Sequence, residues 1–502
     1  MRTFPFKVSI SVVLFSSIAI VYSCDKSRID LKPGGPTELE YFAKEDDFNK
    51  TVLGIYAKMT DFFWYNGGQG NTTMPVFLLP GDDITTNNNN EEFETFGPLN
   101  PGNGRLDYLY KRHYQLINRA NTLLSKINGP ESSVYRTAAL KNTHKGEALF
   151  LRGYALYNLW NFFGTAPFDT VRITTADQFF PASTKGTALL DQAIRDFSAA
   201  ANLLPSSWDA ANRGRVTMNS ANGMLGKSLV FRASANKAAA DYTAAITAFN
   251  KISGASLVAK FDDNFAWDTE NNAESLFEFQ ASQASGDNVW LDNDFDNVVG
   301  NQSIYWGYYD NNYALFGASR FYVTEKVASS FPAGDPRIAL TFNPADRTVR
   351  KYVSRNKLNG PGVGSINNYR ILRYADVLLL KAEALLQSNG STSEAIGLIN
   401  QVRARARAMA TAGLAPMDLS TTETNKTTIM DWIMRERLIE LAGEGQRWFD
   451  LRRWHLQGII TLNSAFFSSN VSTINFQTRH LNFPIPNSEI DVNTNVTQNE
   501  GY

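Results

Sequence analysis

Amphipathic helices that recur in adjacent pairs restrict this chain to a fold built from stacked helix pairs. Residues 371–388 place apolar side chains three and four positions apart, and residues 393–409 repeat that spacing after the break "SNG". One pair cannot bury its apolar stripe alone, so successive pairs have to pack on each other. The same spacing predicts three further pairs, at 47–63 with 106–127, 143–163 with 187–205, and 220–236 with 239–253.

Long insertions rich in Gly, Asn and aromatic residues separate these pairs, at 64–104, 256–370 and 410–424. One segment, "SLFEFQAS", has the character of a β-strand, and 425–445 is predicted as one more long helix. The fold class predicted is therefore mainly α, with tetratricopeptide-like helix pairs forming a scaffold and loop-rich insertions carrying a few short strands. We expect residues 24–502 to form one domain, whose scaffold covers about 47–63, 106–127, 143–205, 220–253, 371–409 and 425–455.

The first 23 residues have the pattern of a signal peptide. Arg2 and Lys7 form a basic start, and the apolar stretch 8–21 is too short to span a bilayer. Cys24 follows directly and is the only cysteine, so an intrachain disulfide is excluded. It is either a cysteine left beside a cleavage site or, as we predict, the acylated first residue of a lipoprotein held to the membrane by that anchor only.

Charge and motifs exclude several functions. The net charge of −1 gives no reason to expect nucleic acid as a partner. None of the four histidines has the spacing of a metal site, and no nucleophile elbow is present, so no cofactor is predicted. The stretch "ANGMLGKS" at 221–228 ends like a phosphate loop but lies inside a helix pattern, which predicts a structural role.

The stretch "RERLIELAGEGQRWFDLRRW" allows two interpretations. Glu436, Glu440 and Glu444 share a helix face, and a glycosidase could use Glu440 and Glu444 as paired carboxylates. Five arginines surround them, however, and nearby cations lower the pKa of a carboxyl group, whereas a general acid needs it raised. The favoured prediction is an ion-pair network that locks helices together.

The aspartates of "DNDFDN" have part of the spacing of a calcium loop. Asp292, Asp294 and Asp296 occupy the first, third and fifth positions, but Asn297 replaces the sixth-position glycine and Ser303 replaces the final glutamate. An EF-hand is therefore excluded, while a looser calcium site stays open.

Several stretches resemble the SusD/RagB family of outer-membrane lipoproteins of Bacteroidetes. They include "EDDFNKTVLGIYAKM", "RERLIELAGEGQRWFDLRRW" and the closing "LNFPIPNSEIDVNTNVTQNEGY". The resemblance implies a cell-surface protein anchored in the outer membrane through Cys24. It also implies a SusC-like TonB-dependent transporter as partner, an oligosaccharide or in some members a peptide as ligand, and no enzymatic activity. The resemblance does not identify the ligand.

The ligand-binding residues are predicted in two insertions, about 64–104 and 256–370. Aromatic faces pack on the C–H patches of sugars, while amides and carboxylates bind the hydroxyls. In the fold implied by the resemblance both insertions approach one exposed face, although such rings also form small cores beneath insertions. The predicted aromatic contacts are Trp64, Tyr65, Trp290, Tyr305, Trp306, Tyr308 and Tyr309, and the predicted polar contacts are Asp83, Asn88 and Asn301.

Acidic residues in both insertions narrow the predicted ligand. Residues 287–310 contain five aspartates and no Lys or Arg, and the 81–94 loop adds Asp82, Asp83, Glu91, Glu92 and Glu94. An acidic site repels polyuronates and sulfated glycans. We therefore expect a neutral or amino-sugar oligosaccharide, with a cationic peptide as the alternative.

Overall fold

Ten α-helices of 11 to 26 residues form the scaffold in the part of the chain that the computed structural model describes: residues 38–63, 73–87, 91–97, 99–281, 321–352, 367–467 and 473–502. Within these residues no helix is both long and apolar enough to cross a membrane. The ten helices are α1 Glu45–Lys58, α2 Gly104–Asn128, α3 Ala138–Phe163, α4 Ala188–Leu203, α5 Met218–Asn236, α6 Ala239–Phe249, α7 Tyr374–Gln387, α8 Thr392–Ala408, α9 Lys426–Leu441 and α10 Arg447–Gln457. Shorter helices occupy Glu38–Tyr41, Met74–Leu78, Glu92–Thr95, Glu325–Ser330, Arg337–Thr341 and Asn487–Ile490.

The helices pack in the pairs predicted from the sequence. Helix α1 contacts α2, α3 contacts α4, α5 contacts α6, and α7 contacts α8. Neighbouring pairs also meet, because α2 packs on α3, α4 on α5, and α6 on α7, which buries a continuous core between them. The predicted mainly α fold of helix pairs with a few short strands is confirmed.

Local sequence signals explain where these helices begin and how closely they approach. Asn103 accepts hydrogen bonds from the backbone N–H groups of Arg105 and Leu106, both at 3.0 Å, and so caps α2. Gly226 lies where α5 meets α6, and a Cβ atom there would overlap the ring of Phe249. The glycine of the phosphate-loop-like stretch therefore allows close helix packing, and its position inside α5 confirms the structural interpretation of that stretch.

Four short strands form two antiparallel pairs. Strand β1 (Ile84–Thr86) pairs with β3 (Phe321–Val323), and β2 (Ser275–Phe279) pairs with β4 (Tyr369–Arg373). The strand β2 lies in the segment "SLFEFQAS", as predicted. Each pair joins parts of the chain that are distant in sequence, and both pairs lie where the long insertions meet the scaffold.

The helix predicted at 425–445 ends earlier than expected. It stops at Leu441, and a tight turn leads to α10, which begins at Arg447. Gly443 and Gly445 have φ angles of 73° and 67°, in the left-handed region that favours glycine. The two glycines thus interrupt what the hydrophobic spacing alone presents as one helix.

Candidate functional site

Four buried rings connect the points where the predicted ligand-binding insertions join the scaffold. The ring centroid of Phe63 lies 5.1 Å from that of Phe279 and 4.8 Å from that of Tyr369. Tyr352 lies 5.9 Å from Tyr369 in the same measure. We call Phe63, Phe279, Tyr352 and Tyr369 the anchor cluster; all four are buried.

The anchor cluster gathers the ends of three separate stretches of the chain. Phe63 directly precedes 64–72, and Tyr352 directly precedes 353–366. Phe279 lies at the end of β2, two residues before Ala281, after which 282–320 begins. Although these stretches are far apart in sequence, their attachment points are neighbours in the fold.

A second junction joins interior parts of the two insertions. Thr86 at the end of β1 is paired with Phe321 at the start of β3, so residues of both insertions are adjacent there. The backbone N–H of Thr324 donates to the carbonyl oxygen of Asp83 at 3.0 Å and continues the contact beyond the strands. Both predicted insertions are therefore tied together at two places.

A surface groove runs beside the anchor cluster. One cavity of about 360 Å³ is bordered by Tyr56, Thr60 and Gln280 among others, so its margin lies within a few residues of both 64–72 and 282–320. A second cavity of about 240 Å³ adjoins it and includes Trp208 in its wall. The two cavities share Arg213, Gly214, Arg215 and Glu278.

The groove offers an indole ring and amide groups together. Trp208 is half-buried; its Nε1–H donates to the carbonyl oxygen of Val216 at 2.9 Å, and the Arg215 guanidinium lies 4.4 Å from its ring centroid. The amides of Asn271 and Gln280 bond each other reciprocally at 2.9 and 3.0 Å. Sequence analysis missed this groove; the tryptophan in the polar loop "SSWDAANRGR" was its one visible signal.

The structure corrects the prediction that Asp83 is a ligand-binding residue on an exposed loop. Its side chain is 1% exposed, and Oδ2 accepts a hydrogen bond from the N–H of Gly443 at 2.9 Å. Burial raises the pKa of Asp83 to about 7. Asp83 is therefore buried at the start of β1, where it holds the turn after α9, and it does not face solvent.

The expected acidic surface at 81–94 is also wrong. Asp82 is buried and accepts hydrogen bonds from Arg447 and Lys326; burial would raise its pKa, but these cations lower it to about 2. Glu91 pairs with Arg105, and the buried Glu94 accepts a hydrogen bond from Thr85 at 2.6 Å. These carboxylates form hydrogen bonds and ion pairs within the protein, so they do not indicate the charge of a ligand.

The other predicted site residues lie outside the described residues. They are Trp64, Tyr65, Asn88, Trp290, Asn301, Tyr305, Trp306, Tyr308 and Tyr309 for the ligand, Asp292, Asp294 and Asp296 for calcium, and Cys24 for the lipid. Their roles stay predictions. Among the described residues, no group of three or more His, Cys, Asp or Glu side chains could hold a metal ion.

A buried ion-pair network surrounds the glutamates that a glycosidase would need. Glu440 accepts hydrogen bonds from Arg337 at 2.8 Å, from Arg373 at 2.6 Å and from Arg405. We call the ten residues connected around it the central network. It joins five cations to five carboxylates: Arg337, Lys351, Arg373, Arg403 and Arg405 with Glu274, Asp335, Glu436, Glu440 and Glu444.

The electrostatics of Glu440 do not suit acid catalysis. Burial alone would raise its pKa, but the charges of Arg405, Arg373 and Arg337 outweigh burial and hold the pKa well below its ordinary value. The side chain is fully buried, so a substrate could not reach it. An ion-pair network around these glutamates is therefore confirmed, but its cations are remote in sequence and are not the five arginines of the motif itself, among which Arg437 and Arg453 pair with Asp450 instead. Glu444 contributes to the network from the turn after α9 and not from the helix itself.

Comparison with known proteins gives consistent matches over the whole scaffold. A sequence model described as "SusD family" matches residues 229–502, and one described as "Starch-binding associating with outer membrane" matches residues 47–228. SusD-like protein P2 of Formosa agariphila is 25% identical over 99% of both chains.

Solved structures show the same fold. A structure titled "Laminarin binding SusD-like protein" is 24% identical, with a TM-score of 0.71, and the match covers 91% of this chain and 100% of that one. Surface glycan-binding protein A from Bacteroides thetaiotaomicron, in complex with laminarihexaose, is 19% identical, with a TM-score of 0.71 and coverage of 91% and 99%.

Proposed function

This chain belongs to the SusD family, and we propose that it is a cell-surface binding protein that captures a neutral or amino-sugar oligosaccharide without cleaving it. The resemblance noted in the sequence is confirmed by the match of the family model to more than half of the chain. The ligand, the lack of catalysis and the delivery of the ligand are the parts that we propose.

One observation carries the proposal: the insertions richest in aromatic and amide side chains attach to the scaffold at shared points. The ring of Phe63, at the start of the first insertion, packs on Phe279 inside the second, and β1 pairs with β3, so the two insertions are in contact at two places. Attachment of long insertions to a packed scaffold is a common way to build a binding site. The groove that contains Trp208 begins at the same place.

Sugar chemistry agrees with the residue types that these insertions supply. Residues 290–313 combine five aromatic side chains named above as ligand contacts with several asparagines. Rings pack on the C–H faces of a pyranose, and amides exchange hydrogen bonds with its hydroxyl groups. A site of this composition binds an oligosaccharide by contact area and hydrogen bonds, without needing a charged ligand group.

Fewer observations support an uncharged or amino sugar as the ligand once the structure is known. Asp82, Asp83, Glu91 and Glu94 are buried and Glu92 is half-buried, so the support that remains comes mainly from the five aspartates of 287–310. Two structural relatives add support, because one binds laminarin and the other is in complex with laminarihexaose, which are uncharged glucans. Together these favour a neutral glycan over a polyuronate.

The cellular location of the protein and the delivery of its ligand are also part of the proposal, and family membership supports both. We expect acylated Cys24 to anchor the protein at the outer membrane, in line with the family description "associating with outer membrane". A SusC-like TonB-dependent transporter is the partner expected to receive the captured oligosaccharide. The buried, cation-bound Glu440 supports binding without hydrolysis.

Calorimetry on the mature chain tests the proposal. Laminarihexaose, chitohexaose, polygalacturonate and a mixture of cationic peptides are titrated separately, and each mixture is then assayed for new reducing ends. We expect saturable binding of a neutral or amino-sugar oligosaccharide and no product. Trp306→Ala and Trp290→Ala should each weaken that binding by about tenfold or more.

A matched control separates loss of a binding ring from loss of any exposed ring. Phe179 is 60% exposed and belongs to neither insertion, so Phe179→Ala should leave affinity unchanged. Binding of peptides alone, or of polygalacturonate alone, would disprove the ligand class. Release of reducing ends that Glu440→Gln abolishes would disprove the claim that the protein does not cleave its ligand.

A further inference from the structure

A cavity of about 670 Å³ lies away from the insertions, where the C-terminal ends of α3 and α5 meet α10 and the final segment of the chain. It shares no bordering residue with the groove beside the anchor cluster. Its volume lies in the range of about 300–1,000 Å³ typical of small-molecule sites. Arg452 and Arg479 both border it, and Glu500, which is exposed, is the acidic residue on its wall.

Arg452 differs from the other buried arginines of the described residues. Eight of these form at least one ion pair with a carboxylate: Arg152, Arg337, Arg370, Arg373, Arg405, Arg437, Arg447 and Arg453. Arg452 is 3% exposed, and within the described part of the chain its hydrogen bonds go only to neutral oxygens. These are the carbonyl of Leu481 and the amide oxygen of Asn482, both at 2.6 Å.

Among the described residues, no carboxylate provides a countercharge for the guanidinium of Arg452. Its centre lies 4.3 Å from the ring centroid of Trp160, and its Nη1 has no hydrogen-bond partner in the described structure. Burial lowers the pKa of Arg452 to about 9. A buried cation with an unsatisfied donor is destabilising unless an anion completes its contacts.

We propose that this cavity binds a small oxyanion, which pairs with Arg452 and is assisted by Arg479 at the margin. Guanidinium groups bind phosphate and carboxylate oxygens through strong charge-assisted hydrogen bonds. Thr187 and Asn236, which also border the cavity, provide polar groups beside the bound anion. Free phosphate and the carboxylate of an acidic monosaccharide share this chemistry.

Calorimetry and thermal unfolding of the mature chain test the proposal. Potassium phosphate and potassium glucuronate are each compared with potassium chloride at equal ionic strength, and glucose controls for the sugar ring. We expect saturable binding and a rise in Tm with at least one oxyanion. Arg452→Gln should weaken this binding by about tenfold or more, since it removes a charged hydrogen-bond donor.

Two further variants keep the test decisive. Arg435 is exposed on α9 and, within the described residues, donates only to the carbonyl oxygen of Ser330, so Arg435→Gln should bind the oxyanion normally. If Arg452→Gln does not fold, Arg479→Gln must lower the affinity instead. Binding of phosphate alone or of glucuronate alone identifies the source of the oxyanion. No saturable binding beyond chloride, or binding unchanged in the variants of both bordering arginines, would overturn the proposal.

Discussion

Replacement of Glu440 by glutamine removes one negative charge from the central network while keeping the length of the side chain. The network then holds five cations against four carboxylates. Arg337, Arg373 and Arg405 each lose a charged acceptor at a site closed to water. Breaking a buried ion pair in this way costs about 3–5 kcal/mol of folding free energy.

Chemical unfolding at pH 7 measures the effect of Glu440→Gln. Glu325→Gln is the matched control, because Glu325 is 70% exposed and, in the part of the chain that the structure describes, makes one ion pair, to Arg347 at 3.3 Å. We expect the control to stay within about 0.5 kcal/mol of the parent protein. An equal and small effect of both substitutions would refute the argument that the central network stabilises the fold through paired buried charges.

The pH dependence provides an independent check of the same reasoning. The pKa of Glu440 is lower in the folded state than in the unfolded chain, where a glutamate has a pKa of about 4.3. Its stabilising contribution is therefore complete above that unfolded pKa and is lost as the pH falls towards the folded value. The difference in unfolding free energy between parent and variant should narrow below about pH 4, and a difference that stays constant would contradict this assignment.

Three further predictions test other features. Burial raises the pKa of Asp83 to about 7, so the parent protein loses stability as the pH rises from about 4 through 7. Asp83→Asn should flatten this pH dependence of stability, measured by thermal unfolding, and an unchanged pH dependence would contradict the assignment to Asp83. Gly226→Ala should lower the free energy of unfolding by about 1–3 kcal/mol, because the new Cβ overlaps the ring of Phe249. Gly397 in α8 has open space around it, so Gly397→Ala should raise the free energy of unfolding by about 0.5–1 kcal/mol. Equal effects of the two substitutions would argue against close packing at Gly226. Cys24→Ala should abolish incorporation of labelled fatty acid and release the protein from the membrane fraction, and retained label would disprove the anchor.

Helix pairing could be predicted from sequence because it depends on local spacing. The apolar stripe of 371–388 and the cap at Ser391 lie within one stretch of chain, and α7 and α8 follow them closely. The exception at 442–446 has a local cause too, since the two glycines adopt φ angles that helical spacing does not reveal.

The burial of Asp82 and Asp83 could not be predicted, because their partners are remote in sequence. Asp82 binds Arg447, and Asp83 binds Gly443, both more than 350 residues away. Without those partners, acidic residues near a run of asparagines have the composition of a solvated loop. The cavity at Arg452 was missed for the same reason, because the absence of a countercharge appears only once α10 is packed against Trp160.

The composition of the central network has a consequence for folding during synthesis. Its members extend from Glu274 to Glu444, so a nascent chain that stops before α9 contains Arg337, Arg373 and Arg405 but not the glutamate that bridges them. Such a partial chain cannot close its interior without trapping positive charge, and it has reason to stay open. Folding of this part of the chain is therefore expected to wait until α9 and the turn after it have been synthesised.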